Sequence, residues 1–124
     1  MNIDFNLIKQ KYPKSLKLFI AFLIKNKNLK GDNNFIEICV FKMLLKNQIC
    51  YCDLERFFDD NGIIIDIIYD SDENNFWYTI HRNQFNIFDS HHDIHEHYPR
   101  KEAKQQSIYK AFEILEKKLS NEKK

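Results

Sequence analysis

Glycine is nearly absent: the 124 residues include two, Gly31 and Gly62, and only two prolines. A phosphate-cradling loop or a dinucleotide-binding turn needs two or three closely spaced glycines, so both scaffolds are excluded. Long hydrophobic runs are missing too. The longest, Leu18 to Ile24, falls well short of the ~20 apolar residues that cross a bilayer. With no signal-peptide pattern at the start, a cytoplasmic protein is expected. Cysteine is sparse and odd in number (Cys39, Cys50, Cys52), unlike the even, dense set of a disulfide-stapled secreted domain; reduced, buried thiols are expected. Cys50 and Cys52 lack the second cysteine pair that would complete a thiolate metal site. Five serines and one threonine stand in no nucleophile elbow. No catalytic residue and no cofactor is expected, and the chain reads as non-enzymatic.

What is present is bulk. Apolar residues make up 44%, with 11 Phe, 6 Tyr and 1 Trp, enough to build one core in one domain, residues 1–124. Lysine outnumbers arginine 16 to 3, and Ile (17) and Asn (13) are abundant. These are residues of AT-rich codons, so lysine number alone argues little about partners.

The net charge of +1 conceals segregation. Residues 1–58 carry +5, residues 59–97 carry −8 with Arg82 as their sole base, and residues 98–124 carry +4. Such asymmetry creates opposed surface potentials that steer a partner.

Hydrophobic spacing predicts the elements. Asp4 caps a short helix to Gln10, and Pro13 opens a second that runs to Asn26 on a stripe of Leu16, Phe19, Ile20, Leu23 and Ile24. A third, from Phe35 to Lys46, is expected to bury Phe35, Ile38, Cys39 and Leu45. Tyr51, Leu54, Phe57 and Phe58 mark a fourth, stopped at Gly62. The period then changes to two. Ile63, Ile65, Ile67 and Tyr69 share one strand face and Asp66 and Asp70 the other. Ser71 to Asn75 turns, Phe76 to Ile80 is a second strand, Arg82 to Gln84 turns again, and Phe85 to Phe88 is a third. Beyond a His-rich irregular stretch, Pro99 opens a final helix whose stripe is Ile108, Ala111, Phe112, Leu115 and Leu119, its last residues frayed. Phe112 and Leu115 are expected over the Ile63, Ile65, Ile67 face. The fold class is α+β: a helical part (1–49), then helix, three antiparallel strands and a covering helix (50–124).

The one dense polar cluster is His91-His92-Asp93-Ile94-His95-Glu96-His97. An extended chain would point His91, Asp93, His95 and His97 one way as zinc or nickel ligands, and a helix would pair His91 with His95. The spacing is not that of zinc proteases, and the opposing reading is a His-rich surface loop with no metal. A sheet bearing Phe76, Trp77, Tyr78 and Phe88 between lysine-bearing helices is also suited to stacking bases. Against this, the sheet is acidic and lacks the glycine and base of the RNA-recognition signature.

Three passages carry a resemblance: Lys11-Tyr12-Pro13-Lys14-Ser15-Leu16; Asp53-Leu54-Glu55-Arg56-Phe57-Phe58-Asp59-Asp60-Asn61-Gly62-Ile63; and Arg100-Lys101-Glu102-Ala103 with Tyr109-Lys110-Ala111-Phe112-Glu113-Ile114-Leu115-Glu116. Their order resembles small α+β proteins of phages and prophages in AT-rich bacteria; the His-rich stretch departs from that pattern. The resemblance implies a protein that binds a host protein, in the manner of an anti-CRISPR inhibitor of a Cas13-type RNA-guided RNase. Such effectors hold nucleic acid in a positively charged channel, which an acidic face would complement. On this reading Asp66, Asp70, Asp72 and Glu73 meet the partner, and Trp77 and Tyr78 are exposed anchors. The rival is a small RNA- or DNA-binding accessory protein that uses the basic helices.

Overall fold

A computed structural model describes residues 2–82 and 85–121. Four helices come first: α1 (Phe5–Lys11), α2 (Pro13–Asn26), α3 (Asn33–Leu45) and α4 (Tyr51–Asp60). They are followed by β1 (Ile63–Asp70), β2 (Asn75–Arg82), β3 (Phe85–Asp89), the one-turn α5 (Ser90–Asp93) and the long α6 (Arg100–Asn121). The architecture is α+β, as the change of period predicts. Asn83 and Gln84 of the second expected turn, and the last three residues, lie outside the described residues.

Local chemistry sets the boundaries. The Asp4 carboxylate accepts from the Leu7 amide at 3.1 Å, and Asp32 accepts from Asn34 and Phe35 at the start of α3. Pro13 leads α2, and its neighbour Tyr12 offers no side-chain cap. The cap comes from α6 instead: Glu116 accepts from the amides of Ser15 (2.8 Å) and Lys14 (3.4 Å). A carboxylate there satisfies donors that no earlier residue can reach, and it meets the positive end of the helix dipole. Gly62 follows α4 at φ +76° with open space where a Cβ would sit, so conformation alone selects glycine.

The sheet order is β1-β2-β3, antiparallel throughout, with a register shift at Ile80/His81. Ile65 faces Ile80 and Ile67 faces Tyr78 across the first pair, giving an inner face that α6 covers with Ile108, Ala111, Phe112 and Leu115, all fully buried. Phe112 also meets the rings of Phe19, Phe57 and Phe58, with centroids 5.0–6.3 Å apart. The core therefore has an aromatic centre shared by α2, α4 and α6.

Two expectations are corrected. Helix α3 buries Ile36, Val40 and Leu44, while Phe35, Ile38, Cys39 and Leu45 are exposed. The helix is apolar on nearly every side, so periodicity cannot choose its inner face. The cysteines are not buried thiols either. Cys39 is free and exposed, and Cys50 and Cys52 are exposed too, their Cα atoms 5.1 Å apart. Among the described residues, no helix is long and apolar enough to cross a membrane.

Candidate functional site: the outer sheet face and hairpin

Strand alternation sends Ile64, Asp66, Ile68 and Asp70 to the sheet face turned away from α6. Their cross-strand partners His81, Thr79, Trp77 and Asn75 share that face. Ile64 and the Asp66 side chain are about half exposed, at 41% and 56%. Asp72 and Glu73 stand exposed at the hairpin tip.

Alternation also decides the two aromatic anchors. Consecutive strand residues point to opposite faces, so Trp77 and Tyr78 cannot both face the hairpin's open side. Trp77 takes it, half-buried beneath His91 and His97, with ring centroids 5.2 and 5.5 Å away. Tyr78 points inward at 3% exposure and stacks between Phe88 and Tyr98. Burial, and then the charges of Glu96 and Glu113, push its hydroxyl above the ordinary tyrosine range. Tyr78 is thus a core residue and not a surface anchor.

The four acids divide by what they hold. Asp70 accepts from the amides of Asp72 (3.0 Å) and Glu73 (3.3 Å), closing the hairpin turn, and also lies 3.7 Å from His97 Nδ1. Asp66 lies 3.3 Å from His81 Nε2, which also meets Thr79 Oγ1 at 2.9 Å. Near the start of β1, Asp59 is held above the usual carboxylate range by partial burial and by the charges of Asp60 and Asp66. Carboxylates crowd this end of the sheet. Asp89 and Asp93 are turned to local use: Asp89 caps α5 at His91 and His92, and Asp93 reaches back to the Asp89 amide.

The His-rich stretch is neither an extended strand nor one continuous helix. After α5, the chain returns along β2, where Phe76 and Tyr98 exchange both backbone hydrogen bonds (2.7 and 2.8 Å). That bridge brings His97 to His91, Nε2 to Nδ1 at 2.6 Å, while His97 Nδ1 faces Asn75 Oδ1 at 2.8 Å. Asn75 Oδ1 can only accept, so Nδ1 of His97 carries a proton. Both rings pack over Trp77 and cover the Asp70–Asn75 end of the outer face. Among the described residues, no group of three or more His, Cys, Asp or Glu is arranged to hold a metal ion.

Sequence reasoning missed the Asn75–His97–His91 chain, which depends on an irregular segment that no periodicity describes. The turn role of Asp70 did have a signal. An Asp followed by Ser-Asp-Glu-Asn between two strands is the composition of an Asx turn.

Comparison with protein-family models, with curated proteins and with solved structures finds no match to this chain.

Proposed function

We propose that this chain is a non-enzymatic, mobile-element protein that binds a basic host protein through its hairpin and outer sheet face. Its target on this reading is an RNA-guided nuclease of the Cas13 type. The observation that carries the proposal is the exposure of Asp66 on β1 and of Asp72 and Glu73 at the hairpin tip, in a segment whose only base is Arg82. Arg82 lies opposite Ile63, on the inner-face side of the alternation. Exposed carboxylates on a hairpin favour fast and selective encounter with a positively charged groove. The resemblance to phage proteins supplies the nature of the target. Several lysines that would serve the rival reading are engaged internally: Lys27 with Asp53, Lys110 with Glu113, and Lys118 with the Asn61 carbonyl.

The test is inhibition of a purified Cas13-type nuclease across a salt series, with wild type and with Asp66→Lys/Asp72→Lys/Glu73→Lys. Asp70 stays in place because its loss would open the turn. Inhibition by wild type that weakens at least tenfold in the folded triple variant is expected, chiefly through slower association. An equally potent triple variant, or bare RNA bound by wild type with a steep salt slope, would overturn the proposal.

A further inference from the structure

Helix α3 has two apolar sides: one lies in the core, and the other is largely exposed, with its central Phe41 half-buried against the core. Ile36, Val40 and Leu44 repeat every four residues and lie in the core. On another side, Ile38, Phe41 and Leu45 follow i, i+3, i+7 spacing, and Ile38 and Leu45 are 55% and 41% exposed. A helix hydrophobic on most of its surface is ordinarily enclosed on both sides. Here the second side forms the wall of an open groove of about 690 Å³, completed by Leu16 and Ile20 of α2.

The groove has a charged rim. Lys9, Lys17 and Lys42 line it with one acid, Glu37, and all four are exposed. Lys9 lies over the Phe41 ring, its Nζ 4.9 Å from the centroid, which holds a positive charge at the groove's edge. Two such grooves brought face to face would oppose three lysines with three, so the rim disfavours a second copy of this chain. An occupant with acidic flanks gains what a second copy would lose.

The shape selects further. From Ile38 to Leu45 the stripe is straight and two turns long, about 10 Å at the helical rise. A partner helix that reads such a stripe supplies its own anchors at i, i+3 or i+4, and i+7.

We propose that the α2–α3 groove docks an amphipathic helix of another protein, with an apolar stripe two to three turns long flanked by Asp or Glu. This surface shares no residue with the acidic hairpin, so it adds a second point of attachment whatever the hairpin binds.

The probe is a fluorescein-labelled, capped peptide of about 15 residues, near the shortest length that holds helix in water. It carries Leu at i, i+3 and i+7 with Glu flanks. A second peptide keeps the leucines and exchanges Glu for Lys, and a third scrambles the order. Anisotropy titration should give saturable binding of the Glu peptide, at least tenfold weaker binding of the Lys peptide, and none of the scrambled one. Ile38→Glu should weaken binding of the Glu peptide at least tenfold, with an unchanged melting curve because Ile38 lies outside the core. Lys17→Glu/Lys42→Glu should reverse the preference between the two charged peptides. Equal binding of both charged peptides, no saturable binding at millimolar protein, or self-association abolished by Ile38→Glu would each overturn the proposal.

Discussion

A single carboxylate, that of Asp70, joins the local and the long-range parts of the candidate site. One oxygen accepts two amides of the hairpin turn, and the side chain stands beside His97. Charge and turn geometry are separable by substitution. Asp70→Ala removes the acceptor and should cost about 0.5–1.5 kcal/mol in urea denaturation. Asp70→Asn keeps an acceptor for the turn and should remain within about 0.5 kcal/mol of wild type. If the alanine variant were as stable as the asparagine variant, the turn hydrogen bonds would carry none of the hairpin's stability. The neighbouring pair Trp77 and Tyr78 shows how much one residue's parity matters, since a shift of one position exchanges a surface ring for a core ring.

At the scale of the element, α2 depends on a residue about a hundred positions later in the chain. With Pro13 lacking an amide hydrogen and Tyr12 giving no cap, Glu116 holds the first free donors. Glu116→Ala should destabilise by about 0.5–2 kcal/mol, the range of an N-cap deletion. Glu116→Gln should recover part of that, because an amide oxygen still accepts; urea titration of the two variants checks the order. Nothing in the first 30 residues signals this contact. What was legible was local: Asp4, Pro13 and Gly62 mark ends through their own backbone chemistry, and the change of period at Ile63 separates helix from strand. Helix α3 was placed correctly but turned the wrong way. The spacing Phe35, Ile38, Leu45 is as regular as Ile36, Val40, Leu44, and only the neighbouring elements decide between them. The candidate site was half legible by the same rule. Alternation assigns Asp66 and Asp70 to one face, whereas the meeting of His91 with His97 needs the bridge between Phe76 and Tyr98.

For the whole molecule, Phe112 is the point where the halves join, since its ring touches α2 and α4 while its helix covers the sheet. Phe112→Ala should cost about 3–5 kcal/mol, the range for removing a fully buried aromatic ring. Far-ultraviolet circular dichroism and tyrosine fluorescence should still report one transition. Two separated transitions would mean that the helical part and the sheet part unfold independently. The earliest described residues meet this same helix, for the Asp4 amide donates to the Tyr109 hydroxyl at 2.8 Å and the Ser15 amide to Glu116. Contacts that join sequence positions so far apart have a consequence during synthesis. A chain growing from the ribosome can pack α1 to α4 on one another and pair its hairpin, but the sides that meet Ile108, Phe112 and Leu115 stay wet until α6 has left the exit tunnel. Closure of the core thus waits on its last helix, and the aromatic surface that Phe112 covers is held open until then.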